Sequence, residues 1–201
     1  MDPVLAAIDP SKFAIRPSQC AQACRQMLIV LGPVAVIEIG TAYGAGVSHF
    51  GPLAARVTSV DAMVDWVPDI CELDRFDPAR VSVDKVDAWR RAAAGLPATL
   101  IVGNSYHVPS ERHDSVLSGA TVLLIDGNHR GAVVRMDYDL YARFMEPVHY
   151  VAWDDAGIGD VRSAADAVLA SLRVAGADVE ERGFGDLRVW RVSTASSRQI
   201  P

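Results

Sequence analysis

Positive charge is scarce in this 201-residue chain: Lys12 and Lys85 are its only lysines, and 19 basic residues against 25 acidic ones leave a formal net charge of -6. A surface of that sign does not hold a nucleic-acid backbone by bulk electrostatics, so no nucleic-acid partner is expected. Long apolar runs are missing too. None approaches the roughly 18 to 20 residues that a membrane span requires, and the chain does not open on a basic stretch followed by an apolar one. The expectation is a soluble cytoplasmic protein with no membrane partner. Cysteine is limited to Cys20, Cys24 and Cys71, an odd number that argues for reduced thiols rather than a disulfide framework. Cys20 and Cys24 share one helix face, but Met27 stands where a cluster-binding CxxxCxxC needs its third cysteine, so both read as structural. Internal repeats and low-complexity tracts are absent.

What is present is apolar material, 50% of the residues, enough for one full core. The chain divides into residues 1–33, an N-terminal lead-in and helix, and 34–201, a single domain. Met1 to Ile15 lacks periodicity and reads as a mobile, lid-like lead-in. Ser18 is the N-cap of a helix through Gln19 to Leu31, which Gly32-Pro33 stops. From there apolar strands alternate with helices. Strands are expected at Val34–Ile39, Arg56–Val60, Thr99–Val102, Thr121–Ile125 and His149–Trp153, with helices at Val47–Ala55, Ser110–Leu117, Ala132–Met145 and Val161–Ala175. A hairpin, Val179–Phe184 and Leu187–Val192, closes the series around Gly185-Asp186. Met63 to Leu96 is irregular, interrupted by Trp66, Pro68, Phe76 and Pro78 before a helix near Val83. The fold class is α/β: a Rossmann-like, doubly wound sheet of seven strands, mostly parallel with one antiparallel edge strand in the hairpin, and helices on both faces.

The stretch that organises the rest is Val34 to Ser48. An apolar strand ends near Glu38 and Ile39, a turn follows with Gly40 and Gly44, and a helix starts near Ala45. Glycines there allow a ligand close to the backbone, and the helix start aims unpaired N–H groups at the same space. Further polar residues fall in a pattern: Glu38, Asp61, Asn104, Asp126 and the Asp154-Asp155 pair each sit at or near the C-terminal end of an expected strand. In an open α/β sheet those ends face one crevice.

These residues carry a family resemblance. EIGTAYGAGVS resembles the ExGxxxGxS motif of class I S-adenosylmethionine-dependent methyltransferases, and Asp61 is placed like that family's acid after the second strand. IDGNH, with Asp154-Asp155 following, is similar to the metal-dependent small-molecule O-methyltransferases, notably the macrolide-sugar O-methyltransferases and the cephalosporin-hydroxylase-like group. The resemblance covers Val34 to Val192 apart from Met63 to Leu96, and makes 34–201 a class I methyltransferase domain.

The resemblance implies S-adenosylmethionine as cofactor, seated by Glu38, Gly40, Thr41, Tyr43, Gly44 and Ser48, with Asp61 accepting from the ribose hydroxyls, Asn104 and Ser105 beside the adenine, and Asp126 closing the seat. It implies Mg²⁺ or another divalent cation on Asp126, Asp154 and Asp155, with His129 as general base toward a hydroxyl of a sugar, macrolide sugar or catechol-like acceptor. Relatives often associate, so a homo-oligomer is a candidate state. Asn128 stands where the related motif usually has an acid, and neither lysine adjoins the aspartate motif, which favours a histidine base over a lysine. Two other readings compete. A glycine turn followed by an acid also fits an NAD(P)-dependent Rossmann oxidoreductase, although the spacing is GxxxG and no Tyr-xxx-Lys pair exists; the third reading is a non-catalytic S-adenosylmethionine-binding protein.

Overall fold

The computed structural model describes residues 1–14, 17–64, 76–108 and 113–194. Trp66, Pro68, Cys71 and the expected helix start at Ser110 lie outside them. Along the chain run α1 (Pro3–Ala7), α2 (Gln19–Leu31), β1 (Ala35–Ile39), α3 (Ala45–Phe50), β2 (Arg56–Asp61), α4 (Val83–Ala92) and β3 (Ala98–Val102). Then come α5 (Asp114–Leu117), β4 (Ala120–Ile125), α6 (Gly131–Tyr141), β5 (Met145–Trp153), α7 (Gly159–Val174), β6 (Asp178–Phe184) and β7 (Leu187–Ser193). The described strands form one seven-stranded sheet in the order β3-β2-β1-β4-β5-β7-β6. β1 to β5 pair in parallel, while β7 runs antiparallel to both its neighbours. The antiparallel strand therefore lies one place in from the edge, because β7 pairs with β5 and leaves β6 outermost. No helix among the described residues is long and apolar enough to cross a membrane.

The near-continuous apolar strands are explained by two cores, one on each sheet face. Val36, Val57, Val122, Leu124 and Ala152 pack under α1 to α4, and Ile37, Ile39, Val60, Leu123, Ile125, Val151 and Trp153 pack under α5 to α7. Burying a Val, Leu or Ile side chain contributes about 1.5–3 kcal/mol, so these two layers dominate the favourable side of folding. Cys20 and Cys24 belong to the first layer, fully buried, and burial pushes both thiols well above their ordinary range, as suits structural residues.

The described part of the lead-in packs against the sheet and α2. Val4, Leu5 and Ile8 are buried, and Asp2 caps α1 by accepting from the N–H groups of Val4 (2.8 Å) and Leu5 (3.2 Å). Asp2 also pairs with Arg191 at 3.2 Å, and Arg182 donates to the carbonyls of Leu5 and Ile8 at 2.6 and 3.2 Å. A helix of five residues is too short to show periodicity, which is why the segment carries no pattern in sequence. The helix expected to reach Met145 stops earlier, since Met145 already begins β5.

Candidate functional site

Backbone ladders continue one residue beyond four strands. Gly103 N–H donates to Asp61 O, Gly40 to Val60 O, Asp126 to Ile39 O and Asp154 to Ile125 O, all at 2.9–3.0 Å. Those bonds bring the polar strand ends to one level, and β1 and β4 meet where the strand order reverses, the usual crevice of such sheets. Side-chain alternation then decides which way the acids point. Ile39, Val60, Ile125 and Trp153 belong to the α5–α7 core, so Glu38, Asp61, Asp126 and Asp154, each next to one of them, turn toward the α1–α4 side.

The crevice is a cavity of about 770 Å³ lined by Pro17, Ser18, Glu38 to Ala42, Ala45, Gly46, Asp61, Asn104, Ser105, Asp126 to Arg130 and Lys85, with apolar walls from Val60 and Val64. A smaller cavity of about 370 Å³ adjoins it through Pro17, Ser18 and Asp126, and is lined also by Gln19, Asp154 and Asp155. Gly40 (φ +81°) is needed because a Cβ there would lie 2.0 Å from the Asp126 carbonyl oxygen, and Gly44 (φ +79°) because a Cβ would meet Ala92 and Trp89. At both positions the missing Cβ lets chain pack against chain, and Gly40 also lines the cavity. Tyr43 is 57% exposed, with Lys85 Nζ 5.5 Å from its ring centre, and does not line the cavity. Ser48 is also exposed and donates to Ala45 O at 2.9 Å. Thr41 does line the cavity, and its buried Oγ1 makes no well-formed hydrogen bond among the described residues.

Asp61 is engaged by protein. Its Oδ2 accepts from the N–H groups of Thr41 (2.8 Å) and Ala42 (2.9 Å), and its Oδ1 from Met63 (2.6 Å). The carboxylate therefore holds the turn, including Ala42 in a left-handed conformation (φ 46°) that costs a non-glycine residue about 1 kcal/mol or more. Asn104 Nδ2 donates to the Tyr106 hydroxyl at 2.9 Å, and Ser105 offers its carbonyl to Tyr141 Oη at 3.0 Å.

The far end is acidic. Glu38 is buried beneath the start of α3, where a Cβ on Gly46 would lie 2.2 Å from its Oε1. Ser59 Oγ donates to it at 2.7 Å, and burial, opposed by the Thr41 and Ser59 hydroxyls, pushes the carboxyl up to about 7. Asp126 is pushed up to about 8 by burial and then by Asp154, with the Ser18 hydroxyl opposing. Asp154 is raised by burial and by Asp155, while backbone N–H groups of Asp155 and Cys20 and the Ser18 hydroxyl favour its charged form. The N-terminus of α2 is thus part of this end, a role for Ser18 and Pro17 that sequence reasoning missed; the parity of the strand-end acids was the available signal. His129 Nε2 lies 3.0 Å from Asp155 Oδ2, and Asp155 adopts φ 53°. One donor atom each from Asp126, His129 and Asp155 fall within 4.8 Å of one another, a set that can hold a metal ion. Asn128 Oδ1 accepts from Arg130 N–H at 2.9 Å, fixing the turn that presents His129.

A family model described as a methyltransferase domain matches residues 37–156. The chain belongs to that methyltransferase family. No curated protein matches it in sequence. Among solved structures, an O-methyltransferase from Bacillus cereus in complex with SAH has a TM-score of 0.63 at 14% identity, covering 95% of this chain and 87% of its own. The O-methyltransferase NovP has a TM-score of 0.62 at 16% identity, covering 88% and 78%. CalS11, a calicheamicin methyltransferase, has a TM-score of 0.60 at 16% identity, covering 85% and 76%. At such identities the likeness carries the fold, and the family match makes this methyltransferase an S-adenosylmethionine-dependent enzyme of class I architecture.

Proposed function

We propose that the protein transfers the methyl group of S-adenosylmethionine to a hydroxyl of a small polyhydroxylated molecule, a sugar, macrolide sugar or catechol-like ring, with help from a divalent cation. The observation that carries the reading is the meeting of two unlike environments at Asp126, which lines both the larger cavity and the smaller one beside it: the Gly40–Asp61–Asn104 side suits a nucleoside, and the Asp126–His129–Asp155 side suits a cation. A cavity of about 770 Å³ has the size typical of sites that enclose small molecules. In support, three structures of similar fold are described as methyltransferases, and the apo form of CalS11 is described as a TDP-rhamnose 3'-O-methyltransferase. A small-molecule acceptor and no nucleic-acid partner fit the net charge of -6.

In this reading Asp61 keeps the turn in place beside the ribose, and Thr41 forms part of the wall next to the cofactor. Asn104 and Ser105 flank the adenine, and Glu38 holds the start of α3 against β1. Asp126 and Asp155, with Asp154 beside them, hold the cation, which when bound lowers the pKa of a coordinated hydroxyl and fixes its direction. The His129–Asp155 contact suits a base oriented by a carboxylate, and it suits equally two ligands of one ion.

Calorimetric titration tests the core of the proposal. S-adenosylhomocysteine should bind with micromolar or better affinity and NAD should give no heat; the reverse result refutes it.

A further inference from the structure

The structure assigns Asp137 and Tyr141, one turn apart on the buried face of α6, as positioning residues that hold the loops after β3 and β4 where those loops line the nucleoside end of the cavity. The inference rests on reading that end as the cofactor seat. Helix α6 turns Val134, Asp137, Tyr138 and Tyr141 inward, at positions spaced i, i+3, i+4 and i+7 along one face. Apolar residues are the ordinary occupants of such a stripe, and Val134, Tyr138 and Tyr141 do join the α5–α7 core. Asp137 departs from the pattern, a carboxyl at 0% exposure.

Two loops meet that carboxyl. The Ser105 hydroxyl is near enough to favour its charged form, and a Cβ on Gly127 would lie 3.9 Å from its Oδ2. Ser105 follows β3 and Gly127 follows β4, and both line the cavity, with Asn104 and Asn128 beside them. Tyr141 secures the first loop a second time, since its hydroxyl donates to Ser105 O at 3.0 Å. That hydroxyl is raised by burial and then by the charge of Asp137, so the two side chains act on the loop from one place. Gly127 is met by the glycine turn as well, because a Cβ on Gly40 would lie 2.8 Å from Gly127 Cα. A shift of either loop is therefore felt at the seat itself.

Stability does not account for a carboxyl at this position. Neither oxygen of Asp137 makes a well-formed hydrogen bond among the described residues, and burial, opposed by Ser105, pushes the group up to about 7. A buried polar group without well-made partners costs the fold, and an apolar side chain of the same shape avoids that cost. Leucine has the branching of aspartate and is the better helix former. What leucine cannot do is engage the Ser105 hydroxyl. Without that contact the Asn104–Ser105 loop loses a tie to α6, and the groups it presents to a nucleoside are held less firmly. Fold stability and cofactor binding should then respond to one substitution in opposite directions, which a carboxyl serving only the fold does not produce.

The test measures S-adenosylhomocysteine binding by calorimetry on the full chain with no divalent ion added, alongside thermal unfolding without ligand. Asp137→Leu is expected to unfold at the wild-type temperature or about 2–4 °C above it, and yet to bind S-adenosylhomocysteine more weakly by about tenfold or more. Asp137→Asn, which keeps the shape and a hydrogen-bonding amide, should hold affinity within about threefold of wild type. Tyr141→Phe should weaken binding by about threefold or more. A folded Asp137→Leu with wild-type affinity overturns the assignment, and so does one whose unfolding temperature drops in step with its affinity. Should Asp137→Leu fail to fold, Tyr141→Phe decides, and wild-type affinity in that variant overturns the assignment. A wild-type chain that binds no S-adenosylhomocysteine refutes the methyl-transfer reading and this inference together, whereas wild-type binding shared by Asp137→Leu refutes this inference alone.

Discussion

The two ends of the crevice treat a carboxylate in opposite ways. At the glycine turn, Asp61 accepts three backbone N–H groups and serves as a brace that is satisfied by the chain itself. Toward the other end, Asp126 is half-buried and Asp154 buried across the switch point from buried Glu38, and burial raises all three. Hydrogen bonds to a charged group contribute about 1.5–3 kcal/mol, whereas a buried charge without enough of them is costly. One end is complete in the protein alone, and the other gathers carboxyls that burial holds toward their protonated form. The same residue type is therefore braced by backbone at one end and raised by burial at the other, and its hydrogen-bond partners tell the two apart.

The two ends are wedged together at Gly40, which makes it the place to break the comparison most severely. Gly40→Ala puts a methyl 2.0 Å from the Asp126 carbonyl oxygen and 2.8 Å from Gly127 Cα at a positive φ. Backbone strain and overpacking together should destabilise the fold by about 4 kcal/mol in urea denaturation. Gly159→Ala, where nothing lies within 4 Å, is the matched control and should be near neutral. A Gly40→Ala variant as stable as wild type would mean that the turn and the acidic loop do not brace one another.

Next in size is a contrast between the two aspartates. Asp61→Ala leaves three N–H groups without their acceptor and should cost about 3 kcal/mol, weakening S-adenosylhomocysteine binding while a thermal shift caused by divalent ions persists. Asp155→Ala should do the opposite: stability near wild type, cofactor binding intact, and the ion-induced shift lost together with metal-stimulated methyl transfer. Equal losses of both responses in both variants would erase the distinction between the ends.

Much of this was legible in the sequence, for identifiable reasons. Parallel strands buried on both faces read as near-continuous apolar runs, so β1, β2, β4 and the core of β5 were visible, and the polar residues after them marked the crevice. Ser18 was recognisable as an N-cap, and its side chain does accept from Ala21 N–H at 3.3 Å. What the chain in one dimension conceals is orientation. Gly44 packs on α4 and Tyr43 faces outward, although both lie in the motif. The engagement of Asp61 by Thr41 and Ala42 spans some twenty positions in sequence and depends on Ala42 being left-handed. The contact of His129 with Asp155 depends likewise on a positive φ that no local pattern announces. Lys85 reaches the cavity wall only because α4 packs beside the turn, where its Nζ donates to Val64 O.

The smallest effect concerns Glu38, which sits between the two ends and tests whether burial or hydrogen bonding governs it. Its carboxyl rises from an ordinary 4.5 to about 7 because burial outweighs the hydrogen bonding, the Ser59 bond included. Since the unfolded chain loses this proton near 4.5 and the folded chain near 7, the unfolded state binds fewer protons throughout that interval. Stability from this group is therefore intact below about 4.5, falls as pH rises to about 7, and stays reduced above it. Glu38→Gln keeps the shape and the acceptor for Ser59 while removing the titration. Between about pH 5 and about pH 7 wild type should lose about 2 kcal/mol relative to the variant, because each tenfold fall in proton concentration there is worth up to about 1.4 kcal/mol. Asp137, whose buried oxygens make no well-formed hydrogen bond among the described residues and which burial, opposed by Ser105, also raises to about 7, contributes equally to both proteins and cancels in the difference. Parallel stability curves for the two proteins across that interval would place Glu38 with Asp61, as a carboxylate already satisfied by the chain.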